Sequence, residues 1–428
     1  MLSQFAAAFR TPDLRNKILF TLGLIAIYRM GAIIPTPGVD YTAIQTCLSL
    51  VEGNSLYGLI NLFSGGALLQ LSVFALGIMP YITASIIIQL LTVVIPRLEA
   101  LRKEGQSGQA KMTQYTRYLT IGLSVLQATA FVSLARTPGQ LFTGCNENLI
   151  PNQSIPLIIT MIITMTAGAA TLMWFGELIT DRGVGNGMSL LIFVSIIAGM
   201  PGQFWSIYQT RGTFILLLTL AVGVVIIAAV VYVEQAQRRI PVQYAKKMVG
   251  SRLMGGASTY IPLKVNMAGV IPVIFASSLL YIPQLLSTVS GNTNSEWGQF
   301  IARNFSRGTE PLYVLFYVAM IIFFAYFYVS ITFNPDERAD EMKKFGGFIP
   351  GIRPGKPTAD YLRYVLSRIT LPGSIYLGVI AVLPNLFLEM GNGGGVQNIP
   401  FGGTAVLIMI GVGLDTVKQI ERKSRTQL

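Results

Sequence analysis

Long apolar stretches in this chain are joined by connectors that are alternately basic and nearly uncharged. Residues 97–117, 234–264 and 334–363 are long, hydrophilic and rich in Lys and Arg. The intervening connectors carry only Arg136, Arg211, Arg303 and Arg307. Lys and Arg favour the cytoplasmic side of a polytopic membrane protein, so the alternation predicts topology as well as class. The expectation is a multi-pass chain whose large basic loops face the cytoplasm.

Composition points the same way, with 52% hydrophobic and 12% charged residues in a chain of 428. The basic, amphipathic start runs directly into the first apolar stretch, so the first span is expected to remain rather than be cleaved. A formal net charge of +12 has two readings. It can attract anionic lipid headgroups beside the spans, or dock a cytosolic partner with an anionic surface. The chain has no histidine, which removes His-liganded metal sites, His general bases and Ser-His or Cys-His pairs. No enzyme, cofactor or metal is expected.

A transmembrane helix needs about 20 mostly apolar residues. Ten segments qualify: 17–34, 70–95, 115–135, 156–178, 187–204, 213–233, 266–288, 312–333, 365–388 and 402–420. An even count returns the basic C-terminus to the side of the basic N-terminus, so both are predicted to be cytoplasmic. Residues 1–233 carry the N-terminal half, formed by helices 1–5 to about 205. Residues 234–264 are a cytoplasmic loop, and 265–428 hold the remainder of the C-terminal half, whose helices 6–10 begin near 213. Five spans per half would orient the halves oppositely, as in an inverted repeat with its pathway at the interface. That inference rests on counting, because no residue-level repeat is evident.

One apolar segment is too short to cross. Residues 55–69 (SLYGLINLFSGGALL) precede the second span and are broken by Gly65-Gly66. An interfacial re-entrant piece is one reading. The other is a small helix packed into a cavity from outside, since non-spanning backbone at membrane depth must be buried in protein or line a pathway. Polar residues within the spans are few. Arg29, Glu177, Arg368 and Asp415 fall near span ends, where charges can snorkel or stay wet. Mid-span positions instead carry Thr83, Ser85 and Gln89 on the second span and Asn266, Ser277 and Ser278 on the seventh. These read as polar glue between helices or as a seam that opens. Ile78, Ile82 and Ile86 form one ridge at helical spacing; such an apolar ridge usually faces lipid or a neighbouring helix, and periodicity alone does not select a pore.

Several of these stretches together resemble the SecY family, the channel-forming subunits of the general protein-secretion machinery. NLFSGGAL at 61–68 is similar to the family's plug segment, and ALGIMPYITASIIIQLLTVV at 75–94 to its second helix. The resemblance continues through EGQSGQAKMTQYTRY at 104–118, MWFGELITDRGVGNGMSLLIF at 173–193 and PLKVNMAGVIPVIFASSLL at 262–280. FNPDERADEMKKFGGFIPGIRPG at 333–355 and PFGGTAVLIMIGVGLD at 400–415 complete it. The connectors near 41–55, 136–155 and 289–310 match no family pattern.

The resemblance implies an all-α fold of ten transmembrane helices in two inverted five-helix halves around an hourglass pore, with a short plug helix. Its constriction would be a ring of Ile78, Ile82, Ile86, Ile192, Ile274 and Ile408. Branched apolar side chains can dewet and block ions, yet deform around any passing polypeptide. The plug would comprise Asn61, Leu62, Phe63, Ser64, Gly65, Gly66, Ala67 and Leu68. The second and seventh spans would form a lateral gate that releases signal sequences and transmembrane segments into lipid. Thr83, Gln89, Asn266, Ser277 and Ser278 would be its polar residues. Arg239, Lys246 and Arg353, in the two longest basic loops, would dock the ribosome through its RNA phosphates and the SecA motor. SecE and SecG would be small membrane partners, and signal-bearing nascent chains the substrates. The chain has no Walker sequence, so energy would come from a partner or from synthesis.

Two alternatives remain open from the residues alone. A secondary transporter of a small solute would suit inverted halves, though mid-membrane carboxylates are missing. An intramembrane enzyme would be limited to carboxylate or Lys chemistry. Cys47 and Cys145 are the only cysteines, in the connectors after the first and third spans. The charge-derived topology puts both outside the cytoplasm, where an oxidising environment permits a disulfide. Two connectors can equally hold their cysteines too far apart, since bridging needs Cα atoms within about 7 Å.

Overall fold

The computed structural model describes residues 12–50, 65–136, 145, 147–244, 247–249, 252–254, 258–289, 310–390 and 403–426. Helices occupy all ten predicted spans. In chain order they begin with α1 (Pro12–Gly31), the short connector helix α2 (Tyr41–Leu50), α3 (Met79–Val94) and α4 (Pro96–Lys103). Next come α5 (Gln106–Arg136), α6 (Ile155–Arg182), α7 (Gly187–Gln209) and α8 (Gly212–Gln235). Four strands then precede α9 (Ile271–Val289) and α10 (Pro311–Thr332). They are β1 (Gln237–Tyr244), β2 (Lys247–Val249), β3 (Arg252–Met254) and β4 (Ser258–Lys264). The chain continues with α11 (Pro335–Lys344), β5 (Gly347–Phe348), α12 (Lys356–Met390) and α13 (Gly403–Thr426). Among the described residues, α5, α6, α7, α8, α12 and the stretch Pro311–Lys344 are long and apolar enough to cross a membrane, and α3 with α4 would make a seventh bent span.

The structure departs from the sequence expectation in its boundaries and in its loops. The second span begins at Met79 rather than at 70, because residues 65–78 form turns despite their apolar character. Their backbone is captured elsewhere: Val73 N donates to Ile34 O and Thr36 N to Leu71 O, each near 3 Å, which holds them out of a helix. The basic loops are also not loops throughout. Pro96 starts α4 at a 101° bend from α3, the preceding Ile95 being extended as residues before proline tend to be. Polarity therefore marks solvent exposure in these segments, not lack of structure.

The chain groups into two compact units. The first comprises Met1–Thr219, Ser278–Val314 and Pro384–Leu428, and the second Leu220–Ser277 and Leu315–Leu383. In the first unit α5 packs against both α3 and α6, and α1 against α6. Its core gathers Ile44 and Cys47 of α2, Leu68, Leu71 and Leu76 of the turns, Phe131 of α5 and Met161 and Met165 of α6.

The second unit contains the sheet. β1 pairs antiparallel with β4, placing Arg239 opposite Pro262, and on its other edge with β5, placing Gln243 opposite Phe348. Strands β2 and β3 form a separate short ladder. Ile240 and Val242 alternate inward along β1, as the two-residue strand period requires, and meet Leu263, Val329, Met342, Leu362 and Val365. The sheet thus binds the two long basic segments into one body.

Candidate translocation site

The plug-like segment enters the described residues at Gly65. Asn61, Leu62, Phe63 and Ser64 lie outside them, so the expected short plug helix is represented only by Gly65, Gly66, Ala67 and Leu68, which form turns. Gly65 and Gly66 both have positive φ (63° and 93°), a conformation that L side chains resist. Ala67 and Leu68 are fully buried. Arg29 Nη1 donates to the Gly65 carbonyl at 3.0 Å, so this arginine near the end of α1 holds the segment rather than merely snorkelling. Thr36 Oγ1 adds a second tie, donating to Leu71 O at 2.8 Å. Leu71 takes a φ of +45°, unusual for a branched side chain, and is completely buried. The turn segment is therefore anchored at both its polar backbone and its apolar side chains.

Beside this anchor, Cys47 of α2 and Cys145 are joined by a disulfide, with Cα atoms 5.4 Å apart. Asp40 caps α2, accepting from Thr42 N at 2.9 Å and from Thr42 Oγ1 at 2.6 Å. These hydrogen bonds, from the Thr42 hydroxyl first, hold its carboxyl below the usual carboxylate range.

Of the six isoleucines, Ile78, Ile86, Ile192, Ile274 and Ile408 are buried and Ile82 is half-buried. Ile78 sits at the N-cap of α3, and its carbonyl accepts from Ile82 N at 3.1 Å, so the ridge starts at the first turn. Ile274 belongs to the second unit and the others to the first.

The residues expected at the gate differ among themselves. Thr83 Oγ1 donates to Met79 O at 3.0 Å, Gln89 Nε2 approaches Ser85 Oγ at 3.5 Å, and Ser277 Oγ donates to Val273 O at 2.9 Å. Each of these bonds lies within one helix, so parting the helix from a neighbour would break none of them. Ser278 is buried. Asn266 lies in the turn before α9 rather than on the seventh span, and its amide donates to Glu234 and to Gly269 O.

Arg239 is exposed on β1, with its guanidinium 4.9 Å above the Tyr260 ring. Arg353 is exposed in a turn whose backbone is fixed when Thr358 Oγ1 donates to Arg353 O at 2.8 Å. Lys246 lies outside the described residues. Glu177, expected to stay wet at a span end, is paired: Arg117 Nε and Nη2 donate to its two carboxylate oxygens at 2.8 and 2.7 Å. Sequence reasoning missed Glu234 and Thr36. Glu234 was visible as a carboxylate opening a basic loop, whereas nothing local marks Thr36.

The SecY family model matches residues 72–417. The chain belongs to the SecY family. It is 65% identical over 429 residues to the protein translocase subunit SecY of Mycobacterium tuberculosis (strain ATCC 25618 / H37Rv), covering 98% of this chain and 97% of that one. The corresponding subunit of Streptomyces scabiei is 62% identical over 428 residues, again covering 98% of this chain and 97% of the relative. Among solved structures, a protein-conducting channel matches with a TM-score of 0.66 at 19% identity, covering 96% of this chain and 93% of that chain. Sec61 in a canine ribosome-channel complex from the endoplasmic reticulum matches with a TM-score of 0.61 at 18% identity and the same coverage. At such identities the structural likeness speaks to the fold alone, a multi-pass helical membrane protein.

Proposed function

We propose that the chain is the channel-forming subunit of a protein translocase, moving unfolded secretory polypeptides across a membrane and releasing signal sequences and transmembrane segments sideways into lipid. The near end-to-end identity to translocase subunits carries this reading. The membrane would be the bacterial plasma membrane, with both termini cytoplasmic, as the Lys and Arg distribution indicates. The two five-helix halves would enclose the pore. Ile78, Ile82, Ile86, Ile192, Ile274 and Ile408 would line its constriction, and their general burial suits an apolar ring. The segment from Asn61 to Leu68 would plug it, held at its described end by Arg29.

Thr83, Gln89, Asn266, Ser277 and Ser278 would lie along the lateral gate. The intrahelical bonds of Thr83, Gln89 and Ser277 support that role, because helices that satisfy their own hydroxyls can separate cheaply. Arg239, Lys246 and Arg353 would dock the ribosome and the SecA motor. SecE and SecG would flank the channel, and anionic lipids would contact the remaining basic residues. The subunit itself would be no enzyme. Nothing favours the solute-transporter alternative.

The ring is testable by conductance. Replacing several of the six isoleucines with Gly or Ser should raise the resting ion leak of the reconstituted channel while transport continues. An unchanged leak, or side chains scattered over lipid-facing surfaces, would remove the ring.

A further inference from the structure

Glu234 is an anomaly. Among the described residues it is the only Asp, Glu, Lys or Arg that is buried, with 8% of its surface exposed. A buried carboxylate costs several kcal/mol unless it is hydrogen-bonded, so its site must hold it with a partner. Part of that hold is Asn266, whose Nδ2 donates to Glu234 Oε1 and also to the Gly269 carbonyl.

The position of this bond is unusual. Glu234 is the penultimate residue of α8, where the chain leaves its apolar span and enters the β1–β4 hairpin. Asn266 stands where the chain leaves that hairpin and enters α9. Between them the hairpin ladder runs to its base: Gln237 pairs with Lys264, and Val265 N donates to Ala236 O at 3.0 Å. The Glu234–Asn266 bond closes the neck one step further on. Gly269, at φ +62°, turns the chain into the helix, and its carbonyl is held by the same amide. On the other side Gly373 of α12 presses against the Val265 carbonyl with no room for a Cβ. Residues 265–270 are therefore clamped at several points, and a shift of the hairpin must pass through them into the first turn of α9.

We propose that Glu234 is a positioning residue that couples partner docking on the hairpin, where Arg239 lies, to movement of α9 at the lateral gate. The inference rests on the channel reading above. Glu234 touches neither partner nor substrate in this scheme. It acts through Asn266, so that a force on the hairpin turns the helix instead of flexing the neck.

The test uses the full channel with its membrane partners, reconstituted in vesicles and driven by the SecA-type motor. Two quantities are read for each variant: apparent motor affinity, and precursor transport rate at saturating motor. Glu234→Ala should leave affinity within about twofold while the saturated rate falls about tenfold, the order expected from one hydrogen bond to a charged group. Asn266→Ala should behave alike, and the double variant should be no worse than either single one. Glu234→Gln keeps the acceptor oxygen and should retain most of the rate, which also covers the case where Glu234→Ala fails to assemble. An unchanged saturated rate in Glu234→Ala would overturn the coupling. So would additive losses in the double variant, or a tenfold loss in Glu234→Gln. If the unaltered chain moves no precursor, the channel reading fails; if it works and Glu234→Ala works equally well, only the coupling fails.

Discussion

The turn segment of the first unit and the hairpin of the second face one problem: fixing a non-spanning stretch of chain to the ends of membrane helices. They solve it with different chemistry. The turns at 65–78 are sunk in an apolar core, with Leu71 fully buried and the Cys47–Cys145 disulfide alongside. The hairpin is held by a backbone ladder and, at its neck, by Glu234 and Asn266. Apolar burial and a covalent bond resist displacement in every direction. A ladder with one polar closure is stiff along the strands yet can be altered by a single bond. The first suits a seal, and the second suits a part that receives a partner and passes on its motion.

Removing bulk from the buried turns should give the largest effect. Leu71→Ala should destabilise the first unit by about 2–5 kcal/mol, as large-to-small changes at buried sites do. A thermal unfolding scan would measure it, and partner docking at the hairpin should be unaltered. Equal weakening of docking would erase the distinction between the regions.

Reduction of Cys47–Cys145 comes next. The chain-entropy estimate for a sequence separation of 98 is about 4.7 kcal/mol, which the helices already confining the two ends should reduce. Reduced protein, or a Cys47→Ser/Cys145→Ser variant, should melt at lower temperature. Free, alkylatable thiols at both positions in assembled, unreduced protein would contradict the bond itself.

On the hairpin side, Arg239→Glu or Arg353→Glu should weaken binding of an anionic partner about tenfold at low salt, with less difference at high salt because exposed charges are screened. Thermal stability should change little. A fall in melting temperature without loss of binding would make these arginines structural.

The smallest effect is a pH dependence at α2. The Asp40 carboxyl is held below its ordinary value of 3.8 by Thr42 and Ala43. The cap therefore contributes fully above that ordinary value and is lost as pH falls through the lowered folded one. Asp40→Asn should flatten the acid limb of the stability profile, while the hairpin side shows no matching change.

The spans were legible because about 20 apolar residues leave a chain little choice but a membrane helix. The start of α3 was not, since residues 70–78 are as apolar as a span and only the backbone bonds to Ile34 and Thr36 turn them away. The hairpin announced itself weakly through Ile240 and Val242 two residues apart, with Arg239, Pro241 and Gln243 around them, a period the surrounding basic character concealed. Cys47 and Cys145 could be placed on one side by charge, but their 5.4 Å Cα separation is a tertiary fact. Glu234 was readable as a residue and not as a site, because its meaning depends on Asn266, 32 positions away.

Transport itself is the decisive measurement. The purified chain, reconstituted with its membrane partners and a motor in sealed vesicles, should carry a signal-bearing precursor to a protease-protected interior. A precursor with its signal deleted should stay outside. Folded, assembled channel that protects neither precursor would contradict the account.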